Sequence, residues 1–131
     1  MFLLIVAQLD DFIFLRIADF HRFMWSCFIN LPSLSRDAEA HKDIASYAYN
    51  EAYLYATNRV RDFPLDSPAF LRHSSNFARF TRDALKNPEE GYKILDKSIK
   101  LAIAWKLHYN LTQPNREIIE LRQELKEWND D

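Results

Sequence analysis

Four cations fall on one side of the stretch Pro68 to Asn87, PAFLRHSSNFARFTRDALKN, when it is projected as a helix. At roughly 100° per residue, Arg72, Arg79, Arg82 and Lys86 share one face, and Phe70, Phe77, Thr81, Ala84 and Leu85 share the other. Only Asp83 stands on the margin of the cationic side. Guanidinium and ammonium groups arrayed in this way can hold phosphate oxygens, a contact that carries affinity without reading bases. A second stripe follows in GYKILDKSIKLAIAWKLHYN, where Lys93, Lys97 and Lys100 lie at i, i+4 and i+7. The two stripes merge into one patch if both face the same way. Otherwise the lysines are an ordinary solvated face.

Other chemistry-bearing residues are scattered. The four histidines lie in four segments and none pairs at helical metal spacing; His41 has no second ligand at i+4. Asp10 and His21 both project into the apolar side of the first segment. About 16 Å of helix separates them, too far for an acid/base pair, so each is expected to find its own buried hydrogen-bond partner. Cys27 is the lone cysteine, set in an apolar run, and reads as a buried thiol in a reducing, cytoplasmic compartment. There is no Cys-x-x-Cys, no Gly-x-Ser-x-Gly and no carboxylate pair that recruits a histidine. No metal, no cofactor and no catalytic residue is expected.

The elements that must position the stripes are all helical in pattern. The chain has 131 residues, with 48% hydrophobic and 15% aromatic, enough for one domain with a sizeable core. A single glycine excludes glycine-rich phosphate loops and dinucleotide turns, and Asn-Gly hairpins are missing as well. The expected fold is all-α, a compact bundle of about five helices over residues 1–131 with a buried N-terminal helix. The opening MFLLIVAQLDDFIFLRIADFHRFMWSCFIN is neither a signal peptide nor a membrane span, since Asp10 and Asp11 interrupt it and no basic start precedes it. Gln8, Asp11, Asp19, Arg22, Ser26 and Asn30 form a narrow polar strip with Arg16 at its edge, and the remaining circumference is apolar. No capping residue precedes this helix. That opening suits an internal translation start, a piece of a longer protein, or a helix that simply begins at its terminus.

NLPSLS breaks the first helix at Pro32 and offers Ser33 or Ser35 as the next cap. A second helix is expected from Arg36 to Asp62, with Ala45, Ala48, Ala52 and Ala56 as a small-residue ridge against the first, and Arg59 and Arg61 at its end. Tyr47, Tyr49, Tyr53 and Tyr55 flank the ridge as core-edge residues with their hydroxyls in water. Asp66 or Ser67 caps the third helix at Pro68, Lys86 and Asn87 close it, and Pro88 opens the fourth with Glu89 and Glu90 in its first turn. Ile94, Leu95, Ala102 and Trp105 mark its core side. Pro114 starts the fifth, whose seam is Ile118, Leu121, Leu125 and Trp128 and whose outer face is mixed and merely solvated. Asn129 to Asp131 should fray.

Net charge is −2, but residues 1–58 carry −3, 59–86 carry +3 and 87–131 carry −2. A near-neutral total argues against a free-standing, high-affinity nucleic-acid binder. It allows one face to meet a phosphate backbone when other subunits share the work.

Two resemblances bear on function. The run Arg16 to His21, RIADFH, resembles the Arg-x4-His pair of HEPN ribonucleases. That likeness implies His21 on the 2′-hydroxyl proton and Arg16 on the phosphate, although the family places the pair late in the bundle and follows the arginine with a polar residue. The whole chain, as a five-helix bundle with a moderately basic face and an uncapped start, resembles the small subunits of Cascade-type CRISPR interference complexes. This implies a non-enzymatic subunit, in some systems made from an internal start in the large-subunit gene. Its copies would lie side by side and hold the displaced DNA strand or the guide–target duplex. The residues for that role are Arg72, Arg79, Arg82, Lys86, Lys93, Lys97 and Lys100. A helical protein–protein adaptor, its stripe facing acidic groups of a partner, is the third reading.

Overall fold

The computed structural model describes residues 2–59, 63–113 and 115–129, with side chains over 13–58, 63–113 and 115–128. Five α-helices account for nearly all of it: α1 (Phe2–Phe28), α2 (Ser35–Leu54), α3 (Pro68–Asp83), α4 (Pro88–His108) and α5 (Arg116–Asn129). No strand occurs among the described residues, so the all-α expectation holds. The expected placements of Gln8, Asp10, Asp11, Val60, Arg61, Asp62, Pro114, Asp130 and Asp131, and of the Arg59 side chain, lie outside the described residues. The chain forms two compact units, residues 1–63 and 64–131.

In the first unit α1 and α2 make a hairpin. The alanine ridge is where the helices close on each other: Ala45, Ala48, Ala52 and Ala56 are buried, as is Ala18 of α1. Small side chains allow the two backbones to approach closely, and Phe14 then reaches Tyr55 with ring centres 6.1 Å apart. Tyr49 and Tyr53 are buried, contrary to the expectation of wet hydroxyls. The Tyr49 hydroxyl instead donates to Asp19 Oδ1 at 2.9 Å, and burial beside that carboxylate pushes the phenol's pKa up.

Other expectations for this unit need correction. The described part of α1 is not buried on most of its circumference: Ile13, Phe20 and Phe23 are 54%, 57% and 63% exposed. A hairpin of two helices has only one neighbour to cover each stripe, and α1 is apolar on more than one stripe. Cys27 shares this fate and is exposed. Neither Ser33 nor Ser35 caps α2. A 3₁₀ turn over Pro32–Leu34 hands directly into the helix, with Ser35 N–H donating to the Pro32 carbonyl and no side-chain cap at Leu34. The α-helix also ends earlier than expected, at Leu54, and continues as a π turn over Tyr55–Arg59. There Thr57 Oγ1 donates to the Tyr53 carbonyl at 2.8 Å, a back-bond that competes with the helical ladder.

The second unit holds α3, α4 and α5. Ser67 caps α3, accepting from Phe70 N–H at 3.2 Å, with Pro68 at the first helical position. Ser67→Ala is expected to cost about 1 kcal/mol in urea unfolding, because one orphan N–H loses its acceptor. Asn87 caps α4 through Glu90 N–H, and Asn115 caps α5 through Glu117 and Ile118 N–H at 3.0 and 3.2 Å. Phe70, Leu71, Phe77, Phe80, Leu95 and Ala102 form the core, joined by Ile118 and Leu121 from α5. Ser74, Thr81 and Ser98 are buried without strain because each hydroxyl donates to the carbonyl four residues back. Leu85, expected on the apolar face, is exposed. It lies past the end of α3, where the chain has turned away.

Candidate nucleic-acid interface

Each cation of the two stripes belongs to the second unit, and local geometry sorts them. Arg72 and Arg79 lie on the solvent side of α3, directly opposite Phe70, Ser74 and Phe77. Arg79 is drawn to α5: its Nε donates to Glu124 Oε1 at 2.6 Å while Ser75 Oγ donates to Oε2 of the same carboxylate at 2.9 Å. Glu124 is only 13% exposed in its side chain, so this ion pair ties α5 to α3 and is more than a solvated contact. Arg82 lies 4.5 Å over the Trp128 ring and donates to Asp83 at 2.7 Å. Lys86 is not on the helical face at all. It adopts φ 57° in the turn that closes α3, and Asn87 N–H then reaches back to the Thr81 carbonyl at 3.0 Å.

On α4 the buried positions Gly91, Leu95, Ser98 and Ala102 define one side, and Lys93, Lys97 and Lys100 stand on the opposite one. The side chains of Lys93 and Lys100 are 66% and 74% exposed. Lys93 approaches Glu89 at 3.7 Å and Lys100 approaches Asp96 at 2.8 Å, both one turn away on the same helix. The Lys100 pKa is raised by its hydrogen bond to Asp96, which keeps it cationic through neutral pH. Both lysines are largely exposed, so water and salt screen these pairs and a phosphate can displace the carboxylates at little cost.

An open groove of about 820 Å³ runs between α3 and α5. Arg72, Arg79 and Arg116 line it, but so do Glu117, Glu120, Glu124 and Glu127. A polyanion entering there would meet more carboxylates than cations. No protein-family model matches the chain, and no curated protein matches it either.

In the first unit the structure brings together two residues that sequence spacing kept apart. His21 Nδ1 and His41 Nδ1 are 2.7 Å apart, joining α1 to α2. His21 thereby finds the partner expected of it, but the partner is another histidine. Burial and the neighbouring His41 lower the His21 pKa. Arg16 lies on an exposed part of α1, five residues and therefore about 140° around the helix from His21. Among the described residues no group of three or more histidine, cysteine or carboxylate side chains could hold a metal. No helix among them is long and apolar enough to cross a membrane.

Proposed function

We propose that this chain is a non-enzymatic accessory subunit of a nucleic-acid-guided effector complex in the cytoplasm, of the kind its sequence resembles in Cascade-type CRISPR defence. Its contact is with the phosphate backbone of a displaced DNA strand or a guide–target duplex. The observation that carries this reading is the lysine face of α4: Lys93, Lys97 and Lys100 stand opposite its buried side, and Lys93 and Lys100 are paired with Glu89 and Asp96 of the same helix. Lys86 is exposed in the turn just before α4. Arg72 is a further exposed cation, whereas Arg79 and Arg82 serve α5 and contribute charge from a fixed position. The exposed apolar side of α1 gives the subunit a surface for its protein neighbours, copies of itself included.

The test is binding to labelled single-stranded DNA and RNA over a salt series, with the strands then run on a denaturing gel. Binding is expected to weaken linearly in log[salt], and the triple charge reversal at Lys93, Lys97 and Lys100 should reduce the slope by about 2, near 0.7 per lost phosphate contact on a single strand. Intact strands are expected throughout. An unchanged slope in a variant with a native helical spectrum would remove α4 from the interface. Charge reversal at Arg79 is a poor probe, because it would place an acid against Glu124.

A protein adaptor is the second reading, and the observation favouring it is the exposure of Ile13, Phe20 and Phe23. It predicts co-purification with a protein partner that survives nuclease treatment, together with no salt-dependent nucleic-acid binding. The ribonuclease reading requires the strands to be cut and His21→Ala to abolish cutting.

A further inference from the structure

The His21–His41 contact is too specific in geometry to be incidental packing. The nitrogens are 2.7 Å apart while the ring centres are 4.9 Å apart and the ring planes differ by 30°. The centre-to-centre distance is nearly the nitrogen gap plus two ring radii. The two nitrogens therefore lie close to the line between the centres, edge to edge. A metal ion held by both would need a wider and bent nitrogen–nitrogen arrangement. One hydrogen fits: a donor N–H on one ring pointed at the acceptor lone pair of the other.

That bond survives two of the three protonation states of the pair. With both rings neutral, one Nδ1–H donates to the other Nδ1. With one ring cationic, the donor is charged and the bond is stronger. With both rings cationic, each Nδ1 carries a hydrogen, and two N–H groups oppose each other across 2.7 Å. The surroundings do little to relieve this. Phe20 and Phe28 flank the pair, with ring centres 5.2 Å from His21 and 5.6 Å from His41 respectively. Of the charged groups on the packed elements, Asp37 of α2 lies one turn before His41. Arg22 of α1 follows His21 in the chain but is engaged with Tyr49, and Lys42 of α2 follows His41. Asp19 is taken by Tyr49 and Glu39 by Lys42. The 3₁₀ turn over Pro32–Leu34 brings no charge.

We propose that His21 and His41 form a one-proton latch on the turn end of the α1–α2 hairpin, closed while a single hydrogen lies between the rings and opened when both become cationic. The direction in pH follows from the linkage. The second proton enters the folded pair at lower pH than it enters separated histidines, which titrate near 6.5. The latch is therefore closed above that pH, strongest while one ring is cationic, and is lost as pH falls below it. The hairpin opens at its turn, where residues 21–41 form the closed loop. Further along, the alanine ridge and the Tyr49–Asp19 bond hold the helices together.

Two measurements on the full chain test this. Imidazole carbon–proton NMR signals, assigned with His21→Gln and His41→Gln, are expected to show two coupled steps in the wild type, the lower one below the ordinary histidine value. In each single variant the remaining histidine should titrate in one step, displaced upward from that lower step. Amide hydrogen exchange over residues 21–45, corrected for intrinsic pH dependence, should lose protection about tenfold per pH unit between about pH 6.5 and the lower step in the wild type, level off below that step, and stay flat in His41→Gln. Independent single-step titration of both histidines in the wild type would overturn the latch even if a variant fails to fold. So would coupled titration with no change in exchange.

Discussion

Between pH 7 and pH 4 the second unit is expected to lose about 3 kcal/mol of stability through one residue, His73. The ring is buried on α3, parallel to Phe77 with centres 6.2 Å apart, and burial lowers its pKa to about 3. In the unfolded chain the same ring titrates near 6.5. Below that value the unfolded state takes up a proton that the folded state refuses. The stability that His73 contributes is thus complete above about pH 6.5 and falls away as pH drops towards 3. Carboxylates also titrate at the acid end of this range, so the effect must be read as a difference. Urea unfolding of wild type and His73→Leu at a series of pH values supplies it, since the carboxylates are common to both. The gap between the two should shift by about 3 kcal/mol in favour of the leucine variant by pH 4. Parallel pH profiles would show that the imidazole is accessible to protons in the folded state.

Replacement of Gly91 by alanine is expected to destabilise the same unit by about 2 kcal/mol, although alanine is intrinsically the better helix former by about 1 kcal/mol. A Cβ at this position would stand 2.7 Å from the Ala78 carbonyl oxygen, 3.4 Å from the Arg82 backbone nitrogen and 3.1 Å from the Trp128 ring. The first two are backbone atoms of α3 and cannot rotate away. Relief requires α4 to move off α3, and the tryptophan that carries Arg82 must move with it. A drop in Tm on the order of 10 °C and a changed tryptophan emission spectrum are the expected readouts. A variant that melts at or above the wild-type temperature would mean that α3 and α4 are not in backbone contact at Gly91.

Gly91 also shows where reading the chain as a string stops. Its singularity in the composition excludes whole classes of fold, but nothing in its neighbours says that it is the point where two helices touch. His73 is similar. Its flanks, Arg72 on one side and Ser74 and Ser75 on the other, read as a polar stretch, and only tertiary packing encloses it. A hint was present: at 100° per residue His73 falls on the same side as Phe70 and Phe77. Glu124 is illegible for the opposite reason. One acid among four on a mixed face carries no signal until Ser75 and Arg79 are brought to it from 49 and 45 residues away.

The sequence by itself determined the helical class, the starts of α3 and α4 at Pro68 and Pro88, the apolar seam of α5 and the grouping of lysines on α4. These depend on interactions within about four residues: caps, proline positions and the 3.6-residue period. The tertiary structure alone decided which arginines are committed to Glu124 and Trp128 and which tyrosines are buried. It also decided that His21 meets His41 and that α1 leaves Phe20 and Phe23 in solvent. Those outcomes depend on which helical faces are pressed together, a choice made by burial summed over distant segments, and no local spacing encodes it.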